Sequence, residues 1–209
     1  MSQQPAVDEP ATPSLRERKR ERTRAAIYEA AMELFETRPY AEVTVEDICA
    51  RAEIGRATFF RFYGAKAALL LEFNRRLADR ARDAIDAQGL DSAPDQLRTV
   101  ASVIAEAWAT SSEAMRAMAF EMLNRPETPV GGESLHPELI ALVADVIRDG
   151  HTHGELRGKE LGPEFLGVVV VTTLAGCVAS WFDTPDSDLH TAADRTIDLL
   201  LRGLQTEPA

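Results

Sequence analysis

The stretch that most restricts what this chain can become is residues 44–66, TVEDICARAEIGRATFFRFYGAK. Thr44 stands three residues before Asp47, the spacing of a capping box, with Asp in the place of the usual Glu or Gln. Val45, Ile48, Cys49 and Ala52 follow at i, i+3, i+4 and i+7 and predict one apolar stripe on a short helix. Glu53 and Ile54 fill a break, and Gly55 can cap a second helix while tolerating an unusual backbone angle. Val43 with Ile48, and Ile54 with Phe59, each have the spacing of a hydrophobic staple, which fixes how the chain enters each helix. Two short helices joined by a tight break read as a helix-turn-helix over about 44–63.

The second of these helices has two unlike sides. At 100° per residue Phe59, Phe62 and Tyr63 cluster inward, while Ala57, Phe60 and Arg61 point the other way, with Arg56 at the front end. Small, planar and cationic groups on an outward face suit a DNA major groove, where Arg pairs with guanine N7 and O6. Arg56 is the expected base reader, and Ala57 allows close approach to a thymine methyl. Thr44, Thr58, Arg61 and Lys66 are expected to position phosphates. Lys66 falls in the first turn of the next helix, where the macrodipole disfavours a cation unless a phosphate lies near. A solvated lysine is the plainer alternative.

These residues resemble the DNA-binding domain of the TetR (tetracycline-repressor) family of bacterial regulators. The similarity runs from about Arg24 to Leu70 and opens with T-x-x-x-I at Thr23 and Ile27. It includes Ala31 to Phe35 as A-x-x-L-F, Thr44 to Ile48 as T-V-E-D-I, and ATFFRFYGAKAALL from Ala57 to Leu70. Three positions depart from it. Glu53 replaces a turn glycine, Gly55 stands where a capping Ser is common, and Phe60 stands where a Tyr often touches phosphate. The resemblance implies an all-α homodimer that represses from a palindromic double-stranded DNA operator until a small-molecule effector binds the C-terminal domain.

Charge distribution bears on that expectation. The chain carries a net charge of −11, which argues against generic nucleic-acid binding. The charge is uneven, however. Residues 1–76 hold 13 Lys and Arg against 12 Asp and Glu, and the remainder hold 10 against 22. Arg16, Arg18, Lys19, Arg20, Arg22 and Arg24 form a basic arm just before the motif, favoured for contact with DNA backbone or minor groove, though a solvated helix start is the commoner fate of a charge run. Residues 1–13 hold three prolines and little apolar content and are expected to be disordered. They are also acidic and polar, unlike a signal peptide. Cys49 and Cys177 read as free thiols in a reducing, cytoplasmic setting.

The rest of the chain reads as helix, about nine helices in all. Ile27, Ala30, Ala31, Leu34 and Phe35 define the first, stopped by Pro39. After Lys66, a long helix is predicted to end near Gln88-Gly89, and Ser92 and Pro94 open the next. Another carries Met115, Met118 and Met122 and breaks at Asn124. Residues 124–134 and Gly150 to Gly162 are predicted loops. The expected division is a tail over 1–13, a DNA-binding domain over 14–66, and a helical ligand-binding and dimerisation domain over 67–205.

From Phe165 to Phe182 there are eighteen residues without a charge. That is short for a membrane span and lacks a basic flank, and a helix apolar all round is otherwise buried on several sides. With the last helix it predicts a four-helix interface between two subunits, using Gly167, Val171, Ala175, Gly176, Ala179, Ile197, Leu200 and Leu204.

No nucleophile elbow, P-loop or paired C-x-x-C occurs, and no cofactor or metal is expected. His151 and His153 lie in a Gly-flanked segment and read as solvated loop, so an all-α enzyme built on them is a weak competitor. A second competitor is a helical ligand-binding protein with weakened DNA recognition, suggested by Glu53 and Phe60. Trp108, Met115, Met118 and Met122 read first as ordinary core and second as an adaptable effector pocket, since Met repacks around varied shapes.

Overall fold

Helix α1 (Leu15–Thr37) starts at a capping box in which Ser14 and Glu17 satisfy each other's backbone N–H, and the chain turns at Arg38 before Pro39. This is a computed structural model, which describes residues 14–123, 136–184 and 187–204, without the side chains of Met122, Leu123 and Leu204. The tail 1–13 and the loop 124–134 therefore lie outside the described residues.

A 3₁₀ turn at Tyr40–Glu42 leads to α2 (Val45–Arg51) and α3 (Arg56–Tyr63). The expected box at α2 is present: Thr44 N–H donates to Asp47 Oδ2 at 2.9 Å, and Asp47 N–H donates to Thr44 Oγ1 at 3.1 Å. The Thr44 N–H first, and the Thr44 hydroxyl after it, hold the Asp47 carboxyl below its ordinary pKa. Val43, Ile48 and Phe59 are fully buried, and Ile54 packs against the same core, as the two staples require.

The unusual backbone angle sits two residues before the place where the sequence put it. Gly55 caps α3 from an ordinary extended conformation, whereas Glu53 takes φ 54° in the turn. An L-residue there works against its Cβ at a cost of about 1–2 kcal/mol, so the turn keeps its shape without a glycine.

A second 3₁₀ turn, Lys66–Ala68, hands over to α4 (Leu69–Gln88), which Gly89 closes in the left-handed conformation. Then come α5 (Ala93–Ala109), α6 (Glu113–Leu123), α7 (Pro137–Thr152), α8 (Pro163–Phe182) and α9 (Leu189–Leu204). Among the described residues these nine helices account for the architecture. In the body α7 packs on α8, α5 on α9, α8 on α9, and α4 on both α5 and α7. Helix α6 is placed differently, against α4 and the two 3₁₀ turns of the N-terminal unit.

Helix α7 runs past the expected stop at Gly150 to Thr152. A Cβ on Gly150 would lie 2.7 Å from Ala93 Cβ and 2.8 Å from Leu156 Cδ1, so this glycine serves a close approach and not a helix end. Helix α8, at 20 residues, is long and apolar enough to cross a membrane by length and composition. Here it packs Leu166, Gly167, Val170, Val171, Leu174, Val178 and Trp181 into the protein core.

Candidate nucleic-acid interface

Helix α3 is held from behind. Phe59 is fully buried, and its ring centroid lies 5.8 Å from that of Tyr63, whose hydroxyl donates to the Arg24 carbonyl of α1 at 3.0 Å. Burial raises the Tyr63 pKa, so the phenol stays a donor. Phe62 packs partly buried against the core. Outward stand Arg56, Ala57, Phe60 and Arg61, all exposed, with Thr58 half-buried between the two sides. This is the division that the spacing predicts. Thr44 is exposed at the start of α2, its Oγ1 accepting the Asp47 N–H.

The cations at this face have protein partners. Arg56 Nη1 lies 2.5 Å from Glu46 Oε1 of α2, and its guanidinium sits 5.7 Å from the Phe60 ring centroid. Arg61 lies 5.5 Å from the centroid of Phe62. Phe60 is 42% exposed, a large apolar surface on a helix otherwise lined by polar and small groups.

Lys66 faces another way. Its Nζ donates to the carbonyls of Tyr40 at 2.6 Å and Val43 at 2.7 Å, and lies 3.8 Å from the centre of the Tyr40 ring. Burial lowers its pKa, and the charge of Glu121 on α6 opposes that shift. Two carbonyl oxygens and an aromatic face thus offset the unfavourable dipole within the protein, at the seam with α6.

The basic arm divides as well. Residues 14–22 are exposed on the first turns of α1, but Arg24 leaves that face to pair with Glu72 of α4 through Nε, at 3.0 Å. Glu72 is fully buried and also accepts from Arg75 and Arg76 at 2.8–3.1 Å. Arg75 reaches on to Glu21 at 2.9 Å, and the Arg76 guanidinium lies 4.1 Å from the Tyr28 ring centroid. Burial pushes the Glu72 carboxyl up in pKa, but the hydrogen bonds from Arg75 and Arg76, with the charges of Arg75 and Arg24, more than reverse it, so it stays ionised. Sequence reading missed this joint, although Glu72, Arg75 and Arg76 have the i, i+3, i+4 spacing of helical ion pairs.

The expected effector and dimer residues divide between the core and the surface. Trp108, Met115 and Met118 are buried, with Trp108 stacked edge-on between Phe73 at 4.8 Å and Phe182 at 5.3 Å. The Met122 side chain lies outside the described residues. A groove of about 440 Å³ lies elsewhere, among α4, α5 and α7, lined by Asp86, Asp91, Asp145 and Asp149 together with Arg82 and Leu142.

On α8, Gly167 and Val171 face inward, contrary to the interface expectation. A Cβ on Gly167 would meet the Ile140 carbonyl oxygen of α7 at 2.9 Å, and Val171 is 2% exposed. Ile197 of α9 is also core, Leu200 packs partly against it, and the Leu204 side chain lies outside the described residues. Gly176 is exposed, while Ala175 and Ala179 are half-buried. The face that α8 does present is Phe165, Val168, Thr172, Gly176 and Ser180, with no charge, and Leu199 of α9 is 72% exposed.

His151 is buried on α7 with Nε2 3.1 Å from the Arg157 carbonyl, and His153 Nδ1 lies 2.9 Å from that of Asp149. The two belong to the end of a helix and not to a loop. Among the described residues no group of three or more His, Cys, Asp or Glu could hold a metal.

The model for bacterial regulatory proteins of the tetR family matches residues 27–73. The HTH-type transcriptional regulator EthR of Mycolicibacterium smegmatis is 39% identical over 62 residues, 30% of this chain and 29% of its own. The HTH-type transcriptional repressor LfrR of the same organism is 37% identical over 83 residues, 40% of this chain and 43% of its own. The chain thus spans less than half the length of these curated relatives. Among solved structures, Thermus thermophilus FadR, a TetR-family transcriptional repressor in complex with lauroyl-CoA, is 30% identical. That match covers 89% of this chain and 97% of FadR, with a TM-score of 0.71.

Proposed function

The chain belongs to the TetR family of bacterial regulatory proteins, and we propose that it is a cytoplasmic, ligand-responsive repressor that binds operator DNA as a homodimer. The observation that carries this reading is the outward face of α3, where Arg56, Ala57, Phe60 and Arg61 stand exposed on a helix fixed from behind by Phe59 and Tyr63. Such a helix can enter a major groove without repacking its own support. Arg56 reads a base edge, Ala57 and Phe60 offer apolar surface to thymine methyls, and Thr44, Thr58 and Arg61 approach phosphates. Lys66 acts from behind, by holding the turn that precedes α2.

The reading unit spans 14–66 and the effector and dimer body 67–205. The uncharged face of α8, with Leu199 of α9, meets its copy across a two-fold axis. Half-sites then lie one helical turn apart or a multiple of it. An acyl-CoA is the first effector to try, because the FadR of Thermus thermophilus was solved with lauroyl-CoA. To act as an inducer it must favour the conformer in which the two α3 helices are wrongly spaced.

The test is fluorescence anisotropy with labelled duplexes from the DNA flanking the protein's own gene, at low and then rising salt. A salt-sensitive, sequence-selective complex that lauroyl-CoA dissociates supports the whole reading. No binding to any duplex at low salt overturns the DNA role, and binding that lauroyl-CoA leaves unchanged overturns the acyl-CoA assignment. For the dimer, Gly176→Arg is informative because a Cβ at Gly176 meets nothing within 4 Å in the subunit. It is expected to give monomers by sedimentation, and an unchanged profile would move the interface elsewhere.

A further inference from the structure

Arg56 occupies the first position of α3, where the helix macrodipole opposes a cation. Its side chain is not left to find its own place. Glu46, from the first turn of α2, meets it through Nη1, and the Phe60 ring lies beneath the guanidinium. A carboxylate on a surface meant for a polyanion costs DNA affinity, since it repels phosphate. As an exposed ion pair it contributes little to stability. The macrodipole of α2 favours a carboxylate in its first turn, and the geometry of the guanidinium gives this one a further role. The group has two edges that can make paired hydrogen bonds, and occupying Nη1 leaves the Nε and Nη2 edge to meet the O6 and N7 of a guanine.

We propose that Glu46 is a positioning residue for base readout: with Phe60 as a platform, it holds Arg56 so that one edge is presented to a guanine in the major groove. The inference rests on the DNA-reading role assigned to α3 and adds to it the residues that give Arg56 its selectivity. An arginine free to rotate can satisfy itself on a phosphate just as well. One already committed on Nη1 loses less freedom on meeting the right base and gains less from the wrong contact. Glu46 thus exchanges general affinity for discrimination, the behaviour of an interface element that acts against competing sites.

The experiment selects duplexes from a pool with a randomised interior, using the full-length protein, and measures affinities for the selected sequence and its single base-pair variants. The wild type is expected to select a G·C pair in each half-site and to lose about ten-fold or more in affinity when it is replaced. Glu46→Ala is expected to shrink that ratio about five-fold while raising affinity for unselected duplex, because a negative charge has gone. Glu46→Gln, which keeps an accepting oxygen, falls between them. In an Arg56→Ala background, Glu46→Ala changes no base-pair ratio.

If Glu46→Ala raises or lowers every sequence alike, Glu46 acts only on phosphates or on folding, and the inference is overturned. The same holds if the ratio still changes with Arg56 removed. Thermal unfolding of each variant separates a loss of fold from a loss of readout. If the wild type selects no sequence, the reading role of α3 fails first, an outcome distinct from a wild type that selects guanine and a variant that does so equally well.

Discussion

Helices α3 and α8 obey one rule and arrive at opposite surfaces. Each buries one side in the core: Phe59 and Tyr63 for α3, and Leu166, Val170, Leu174 and Trp181 among others for α8. What remains outside differs in kind. Over eight residues α3 exposes two arginines, an alanine and a phenylalanine, while α8 exposes an apolar and hydroxyl stripe with no charge between Phe165 and Ser180. The inner faces explain why each helix exists, and only the outer faces carry functional information. A cationic tip suits a polyanion, and an uncharged stripe suits another protein surface. Between them lies a third kind of region, the seam of α1, α4 and α6, where charges are turned inward and satisfied by the protein itself.

The largest effect is expected at that seam. Glu72→Ala leaves Arg24, Arg75 and Arg76 without their common counter-ion, and we expect a loss of about 2–4 kcal/mol in urea unfolding, discounted because the arginines are partly solvated. The pH dependence follows from the lowered Glu72 pKa. Its contribution is present above the ordinary value of 4.5 and is lost as pH falls through the lower folded value. Wild-type stability should therefore drop more steeply than that of Glu72→Gln on acidification below about pH 4.5. Parallel curves would show that the joint is not ionised.

Next comes the two-sidedness of α8. Gly167→Ala forces a methyl against the Ile140 carbonyl oxygen and the Ala144 backbone, and we expect about 1–3 kcal/mol of destabilisation. Gly176→Ala, on the other side with open space around it, should not destabilise the subunit in calorimetry of dilute samples. Equal losses at both glycines would erase the distinction between the inner and outer faces.

Lys66→Met asks whether a cation near α3 serves DNA or the fold. It removes the donor from two carbonyls and should cost about 1–2 kcal/mol of stability. DNA affinity should fall for all sequences while the salt dependence of binding stays the same. A salt slope smaller by about one phosphate contact would return Lys66 to the DNA face.

The smallest effect is at the turn before α3. Glu53→Gly relieves the left-handed conformation but adds freedom to the unfolded chain, for a net gain of about 0.5 kcal/mol. A loss on the same scale would mean that the Glu53 side chain makes an interaction worth more than the strain.

Much of this was legible in the sequence because it is local. Thr44 and Asp47 are three apart, so a capping box can be read without knowing the fold, and it formed as read. The two sides of α3 follow from 100° per residue, and they too formed. The helix end at Gly89 needs only a residue that accepts the left-handed conformation. The protein partners of Lys66, Tyr40 and Val43, were not legible because they lie more than twenty residues back in the chain. Gly150 looked like a stop because its neighbour Ala93 comes from another helix. Small residues such as Gly167 and Gly176 look alike in a string, yet one touches α7 and the other open space.

The sequence alone therefore determined most of the helices, the capping box at Thr44 and the apolar side of the amphipathic helices such as α3, because those properties depend on neighbours within about one turn. Tertiary structure decided which small residues face the core, which carboxylate meets Arg56, and which cations are spent on the protein's own carbonyls and acids. Each of those outcomes depends on groups that chain distance keeps apart and packing brings within hydrogen-bonding range.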